Sequence, residues 1–268
     1  MARTDAVIFD VDGTLAETEH DGHRVAFNRA FAEAGLPWHW DERLYGELLA
    51  VTGGKERITH FARRFAADWL EAGDAISRIA ELHARKNDHY AAITRAGEIR
   101  LRRGLARLLD ALAAARLRLA IATTTSRANV EVLLRATLGE RALARFEVDV
   151  CGEDVVRKKP DPEAYLLALQ RLRLPAARCL AVEDSANGLR AALGAGIPTV
   201  IVRSLYTRGE DFGGALRVFD GYADDCRGEP DRWLSASFIV DAAPGAPPGD
   251  ADDRARSSPP GPIDTGQA

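Results

Sequence analysis

Two carboxylates stand two positions apart in the run Asp10-Val11-Asp12-Gly13-Thr14, directly after the apolar tetrad Ala6-Val7-Ile8-Phe9. Continued strand geometry puts residues i and i+2 on one face. Gly13 then lets the chain turn away without a Cβ penalty. One carboxylate so placed can attack phosphorus while the other carries the proton. An Asx turn after any strand also uses an Asp-Gly pair, so the motif has to be weighed with what lies elsewhere.

Three further groups follow later apolar runs. Thr123-Thr124-Thr125-Ser126 comes after residues 117–122. Hydroxyls and backbone amides that open a helix suit a phosphate, and equally an ordinary N-cap. Lys158-Lys159-Pro160 offers a lysine that can neutralise a phosphate and an attacking carboxylate together. Lys159 is the candidate, with Lys158 left open. Glu183-Asp184 closes the run 179–182 and leads into Ser185-Ala186-Asn187-Gly188. Two adjacent acids at a strand end are costly to bury unpaired. A cation held by a few oxygen ligands, with water and phosphate completing its shell, removes that cost and is what Mg²⁺ prefers. Acids are also favoured at a helix start for its dipole alone. The four groups gain weight by occurring together, each where a strand ends.

The elements that must position them read as a doubly wound α/β fold. Continuous apolar runs at 6–9, 117–122, 179–182 and 199–202 predict strands buried on both faces of a parallel sheet. Helical periodicity lies between them at 105–115, 130–138, 163–172 and 189–195. Such sheets bind ligands at the carboxyl ends of their strands. The alternation is interrupted over residues 16–92, which read as helices at 23–34, 41–49, 56–65 and 74–90. That is far longer than a βα connection needs, so a helical cap domain over 16–92 is expected. The α/β core then comprises 1–15 and 93–240. Residues 241–268, rich in Pro, Gly, Asp and Ser, read as a disordered tail.

Composition narrows the function classes. The 268 residues are 46% hydrophobic and 28% charged, ordinary for a soluble enzyme. A net charge of −4 argues against a nucleic-acid partner. No apolar run approaches the roughly 20 residues that span a bilayer, so no membrane partner is expected. The three cysteines fit no zinc spacing and no disulfide framework. A reduced cytoplasmic compartment and a monomer are the expectation.

At this point the chain resembles the haloacid dehalogenase superfamily, through Asp10-Val11-Asp12-Gly13-Thr14, Thr123, Lys159-Pro160 and Glu183-Asp184. The helical cap occupies the place seen in the phosphoglycolate phosphatase and β-phosphoglucomutase branch. The resemblance implies that Asp10 is the nucleophile and a metal ligand. It implies that Asp12 is the general acid/base and binds the metal through its backbone carbonyl. Thr123 would bond the transferring phosphoryl group and Lys159 stabilise its charge. Asp184 would ligate Mg²⁺, with Glu183 ligating it directly or through water.

A closer resemblance, to CbbY-type xylulose-1,5-bisphosphate phosphatases associated with Calvin-cycle operons and Rubisco maintenance, runs through three stretches. They are residues 14–19, Thr52-Gly53-Gly54-Lys55-Glu56-Arg57-Ile58, and the triple threonine 123–125. It continues to Tyr206-Thr207-Arg208-Gly209-Glu210-Asp211-Phe212. It implies a phosphorylated sugar as the small-molecule partner. A doubly phosphorylated sugar needs a second anion site. Gly53, Gly54, Lys55 and Arg57 supply amides and charge for one, alongside Thr124 and Thr125. Glu17 is the candidate acceptor for a sugar hydroxyl. A β-phosphoglucomutase-like mutase and a phosphoglycolate phosphatase share these motifs. A receiver-like phosphoacceptor domain, which does not turn over, places its acceptor Asp after a later strand and lacks the insert.

Overall fold

The structure, a computed structural model, describes residues 4–223 and 232–241. Six parallel strands form one sheet in the order β3-β2-β1-β4-β5-β6. They are β1 (Ala6–Phe9), β2 (Arg118–Ala122), β3 (Val148–Val150), β4 (Cys179–Glu183), β5 (Thr199–Val202) and β6 (Arg217–Phe219). Every residue of β1 is buried because both faces of the sheet are covered. Val7 and Phe9 pack with α6 (Leu105–Ala114) and α7 (Arg127–Leu138). Ala6 and Ile8 pack with α8 (Glu163–Leu172) and α9 (Ala186–Gly194). Two-sided burial is the reason the strand reads as a continuous apolar run. The doubly wound parallel sheet expected from the sequence is the fold found.

Register decides where the polar groups emerge. Phe9 stands level with Ile121 of β2 and Val182 of β4. Asp10, Thr123 and Glu183 therefore lie together at the carboxyl edge, where the winding reverses around β1.

Between β1 and α6 the described chain forms helices and no named strand. A π-helical turn, Glu19–His23, leads into α1 (Arg24–Glu33). α2 (Glu42–Leu48), α3 (Gly54–Phe65), α4 (Ala67–Glu71) and α5 (Ala75–Arg95) follow. These helices enclose their own aromatic cluster, in which Trp40 meets Phe27 at 4.6 Å and Phe31 at 4.8 Å between ring centroids. Asn28 pins the extended segment before α2 by bonding both backbone groups of Trp40. A two-stranded parallel ribbon, β7 (Gly221–Tyr222) with β8 (Trp233–Leu234), precedes α10 (Ala236–Asp241). Of the expected tail, 241–268, Asp241 closes α10 and the rest lies outside the described residues. Among the described residues no helix is long and apolar enough to cross a membrane.

Candidate active site

β1 delivers Asp10 to the sheet edge, where its backbone N–H donates to Val182 O at 3.0 Å. The chain then folds back on itself, with Gly13 N donating to Ala16 O and Leu15 N to Val11 O, both at 2.8 Å. Gly13 sits at φ +81°, and a Cβ there would fall 2.1 Å from Asp184 Oδ2. Only glycine permits that turn with the acid so close.

Lys159 is the hub of the site. Its ammonium donates to Asp10 Oδ1 at 2.6 Å, Glu183 Oε1 at 2.5 Å and Ala122 O at 2.8 Å. Tyr165 adds a hydroxyl to Glu183 Oε1 at 2.7 Å. Lys159 is therefore the lysine of the site. Lys158, one residue back, reaches across to Glu56 of α3 at 3.3 Å.

Burial pushes the Asp10 carboxyl up to about 7; Lys159 opposes this, while Glu183 and Asp12 reinforce it. Burial, then Glu183 and Asp10, raise Asp184 well above the carboxylate range. The two acids hold Lys159 above its usual range despite its burial. Carboxylate oxygens of Asp10, Glu183 and Asp184 lie within 4.8 Å of one another, all three buried. One ammonium cannot balance three buried acids. An oxygen-only donor set with surplus negative charge fits a hard divalent cation such as Mg²⁺.

Asp12 faces the other way, toward the helices. Thr18 Oγ1 donates to Asp12 Oδ1 at 2.5 Å, and His23 Nε2 lies 3.0 Å from the same oxygen. Lys86 Nζ stands 2.7 Å from His23 Nδ1. An ammonium donor at Nδ1 leaves the proton on Nε2, so His23 donates to Asp12. The His23 ring stacks on Tyr90 at 4.2 Å. Burial alone would raise Asp12, but His23, Thr18 and Lys86 outweigh it and hold the carboxyl at about 2.

Two adjoining cavities open over these groups. The smaller, about 90 Å³, is lined by Asp10, Asp12, Lys159, Asp184 and Thr124. The larger, about 440 Å³, is lined by Gly53, Gly54, Lys55, Lys86, Lys158 and Thr125, among others. They share Asp12, Glu19, Arg57 and Thr124. His83 lines the larger cavity and is held down to about 3, by burial and then by Lys86, Lys55 and Lys158. Lys55, Lys86 and Lys158 thus cluster around His83, in a wall that also carries the acids Asp12, Glu19, Glu56 and Glu153.

Several candidates from the sequence are placed differently from one another. Thr123 is buried beneath the cavities, with its hydroxyl accepting from Thr125 N at 3.3 Å. Thr124 reaches both cavities. Arg57 lines both but is buried and held, donating to Tyr45 OH at 2.8 Å beside Glu19. Glu17 is not brought to the site. Its carboxylate accepts from Leu205 N at 3.2 Å, faces Arg102 and lines a separate surface cavity. Glu19, two residues on and at the start of the π-turn, lines both cavities instead. Sequence reasoning missed Glu19, His23 and Lys86. Lys86 had a signal, since it shares the buried stripe of α5 with Ile79, Leu82, Tyr90 and Ile93. A lysine there needs a polar reason.

Comparison with known proteins agrees with this geometry. The family model "haloacid dehalogenase-like hydrolase" matches residues 4–196, and the chain belongs to that family. Within it the chain stands in the CbbY-like branch and is an enzyme of the phosphatase type. It is 48% identical to Protein CbbY of Cereibacter sphaeroides over 82% of this chain and 93% of that one. A crystal structure of a CbbY mutant from Rhodobacter sphaeroides in complex with xylulose-(1,5)-bisphosphate superposes with a TM-score of 0.75, covering 82% of this chain and 94% of that one at 48% identity. The phosphorylated carbohydrates phosphatase of Thermotoga maritima is 31% identical over 75% of this chain and 87% of its own.

Proposed function

We propose that the protein is a magnesium-dependent sugar-phosphate phosphatase that hydrolyses xylulose 1,5-bisphosphate to xylulose 5-phosphate through an aspartyl-phosphate on Asp10. The observation that carries this reading is the pair of joined cavities. One holds a nucleophile, a lysine and a cation-fitting acid cluster. The other is ringed by Lys55, Lys86 and Lys158. A phosphoryl group fits the first and a second anionic group the second.

Asp10 Oδ attacks phosphorus, and the bond to the sugar oxygen breaks as Asp12 gives that oxygen a proton. His23 and Thr18 hold Asp12 as a carboxylate; phosphoryl charge arriving beside it raises its pKa and loads it with the proton. Asp12 then takes a proton from water, the oxygen attacks phosphorus, and the Asp10–phosphorus bond breaks. Lys159 and the hydroxyls of Thr123 and Thr124 offset charge on the transferring group. Asp10, the Asp12 carbonyl, Glu183 and Asp184 would hold Mg²⁺, which would screen carboxylate from phosphate and offset charge on the phosphoryl oxygens. The helices of residues 16–92 act as the cap domain over the core of 1–15 and 93–240, and Lys55 and Lys158 take the distal phosphate.

The test is phosphate release by the purified enzyme from sugar mono- and bisphosphates, including xylulose 1,5-bisphosphate, with Asp10→Asn as control. The expected outcome is preference for the bisphosphate and a loss of at least about a thousandfold in the variant. Movement of phosphate between positions without release would identify a mutase instead, and no turnover of any ester would remove the enzymatic reading.

A further inference from the structure

The stretch Tyr206-Thr207-Arg208-Gly209-Glu210-Asp211-Phe212 takes no part in the chemistry above. Yet the loop between β5 and β6 that contains it touches both halves of the site. Toward the acids, Ser204, Tyr206 and Glu210 line the smaller cavity together with Asp184, and the Ser204 side chain hydrogen-bonds the Asp184 carboxylate. Ser204 is itself held by Thr207, whose Oγ1 accepts from Ser204 N and lies 3.0 Å from Ser204 Oγ. Glu210 accepts from Ala186 N at 2.6 Å and so secures the first turn of α9, next to Glu183-Asp184. Toward the cap, the Tyr206 ring meets Tyr45 edge-on at 5.9 Å and lies 6.1 Å from the His20 ring. It packs with the aromatic cluster of α1–α5 although it belongs to the other half of the chain. α2 leaves space for it at Gly46, where a Cβ would come 3.2 Å from Tyr206 Cδ1. Tyr45 in turn donates to Glu19, which lines both cavities.

We propose that Tyr206 is a positioning residue for the metal-binding acids. Its ring, lodged against α2, holds the loop so that Ser204 and Glu210 orient Asp184 and the start of α9. The acids then reach their binding arrangement only with the cap packed on the loop. A short, hydrogen-bonded turn fixed at Ser204 and Glu210 has little freedom to absorb a shift of the residue between them, so a displacement at Tyr206 is passed on. The kinetic side of this proposal rests on the phosphatase reading; the metal-binding side does not.

The experiment measures Mn²⁺ binding to the full chain by electron paramagnetic resonance, for wild type, Tyr206→Ala and Tyr206→Phe, with melting curves to confirm folding. Tyr206→Ala is expected to weaken Mn²⁺ about tenfold, in the range found when support behind metal ligands is removed. Tyr206→Phe keeps the ring and is expected to restore affinity to within about twofold. Gly46→Val is the second variant. It lies in the cap and touches no acid, yet by crowding Tyr206 it is expected to weaken Mn²⁺ in the same direction. Kinetics add a split that simple destabilisation does not produce: the Mg²⁺ concentration for half-activation rises in Tyr206→Ala while KM for the sugar phosphate at saturating Mg²⁺ changes less. Wild-type Mn²⁺ affinity in folded Tyr206→Ala, or in Gly46→Val should the first variant not fold, overturns the proposal. If wild type hydrolyses no phosphate ester, the phosphatase reading falls and the Mn²⁺ comparison still decides the role of Tyr206.

Discussion

Asp12 is set by groups that arrive from the helices, not from its own strand. Lys86 polarises His23, and His23 with Thr18 holds the Asp12 carboxylate. Burial pulls Lys86 down to about 8, Arg57 adding to the effect and Asp12 and Glu19 resisting it. Its ammonium is therefore present below about pH 8 and lost above. With it goes the positive charge that polarises His23 toward the Asp12 carboxylate. We expect kcat/KM to fall as pH rises through about 8, and Lys86→Arg to move that limb upward because guanidinium stays charged; pH–rate profiles of both proteins check this. Asp10 gives a second pH dependence with the opposite partner. Its folded pKa of about 7 lies above its unfolded value, so the metal-free fold keeps a proton that the unfolded chain releases from about pH 4 upward. That stabilisation is full below pH 4 and is lost as pH rises through about 7. Cation binding requires the same proton to leave. The Mg²⁺-induced rise in Tm should accordingly be small at pH 5.5 and larger at pH 8. An equal rise at both values would separate Asp10 from the cation site.

At the scale of elements, Arg102 does what no single strand can. Its guanidinium donates to Gly13 O at 2.5 Å, Val202 O at 2.9 Å and Arg203 O at 2.6 Å. It thus ties the turn after β1 to the end of β5, with a side chain only 8% exposed. Lysine has one ammonium and cannot span three carbonyls in a plane. Arg102→Lys is expected to lose about 2–4 kcal/mol of stability, because carbonyls are left without donors, and to weaken Mg²⁺ activation. Denaturant titration and Mg²⁺ dependence measure the two effects. Elements such as this clamp were not legible in the sequence, whereas β1, β4 and β5 were. Those strands are covered on both faces, so burial writes itself as an unbroken apolar run. β3 is three residues long with half-buried Asp149 at its centre, and β6 opens on half-buried Arg217 and Val218. Neither carries such a run. The strand-end site residues were readable because strand ends are where polar residues interrupt that pattern. Glu19 and His23 were not, because the five-residue π-turn changes which side chains face inward, and nothing in Glu19-His20-Asp21-Gly22-His23 announces its period.

For the whole molecule, the decisive fact is that one cleft belongs to two bodies of structure. The core supplies Asp10, Lys159 and Asp184, and the helices between β1 and α6 supply Lys55, Arg57 and Lys86. Ties cross the cleft at Lys158–Glu56, Asn129–Asn87 and Asn187 with the carbonyl of Ala50. A substrate with one phosphate meets only the core chemistry. On the proposed reading a substrate with two also meets the lysines of the larger cavity, where Glu56 is the sole acid bonded to Lys158 among the described residues. Binding of the second phosphate is then a cap-to-core link in its own right, stronger than the surface ion pair it displaces because a phosphate takes several charge-assisted hydrogen bonds at once. Lys55 is the cleanest probe, since it lines the larger cavity and not the smaller. Lys55→Ala should raise KM for a sugar bisphosphate about tenfold, the equivalent of about 1.4 kcal/mol, and much less for the matching monophosphate. Added salt should shrink the difference, because partly exposed charges are screened. Initial rates of phosphate release for both substrates, at low and high ionic strength, measure it. An equal change in KM for both would place the second phosphate outside the larger cavity and leave its lysines to serve the cap alone.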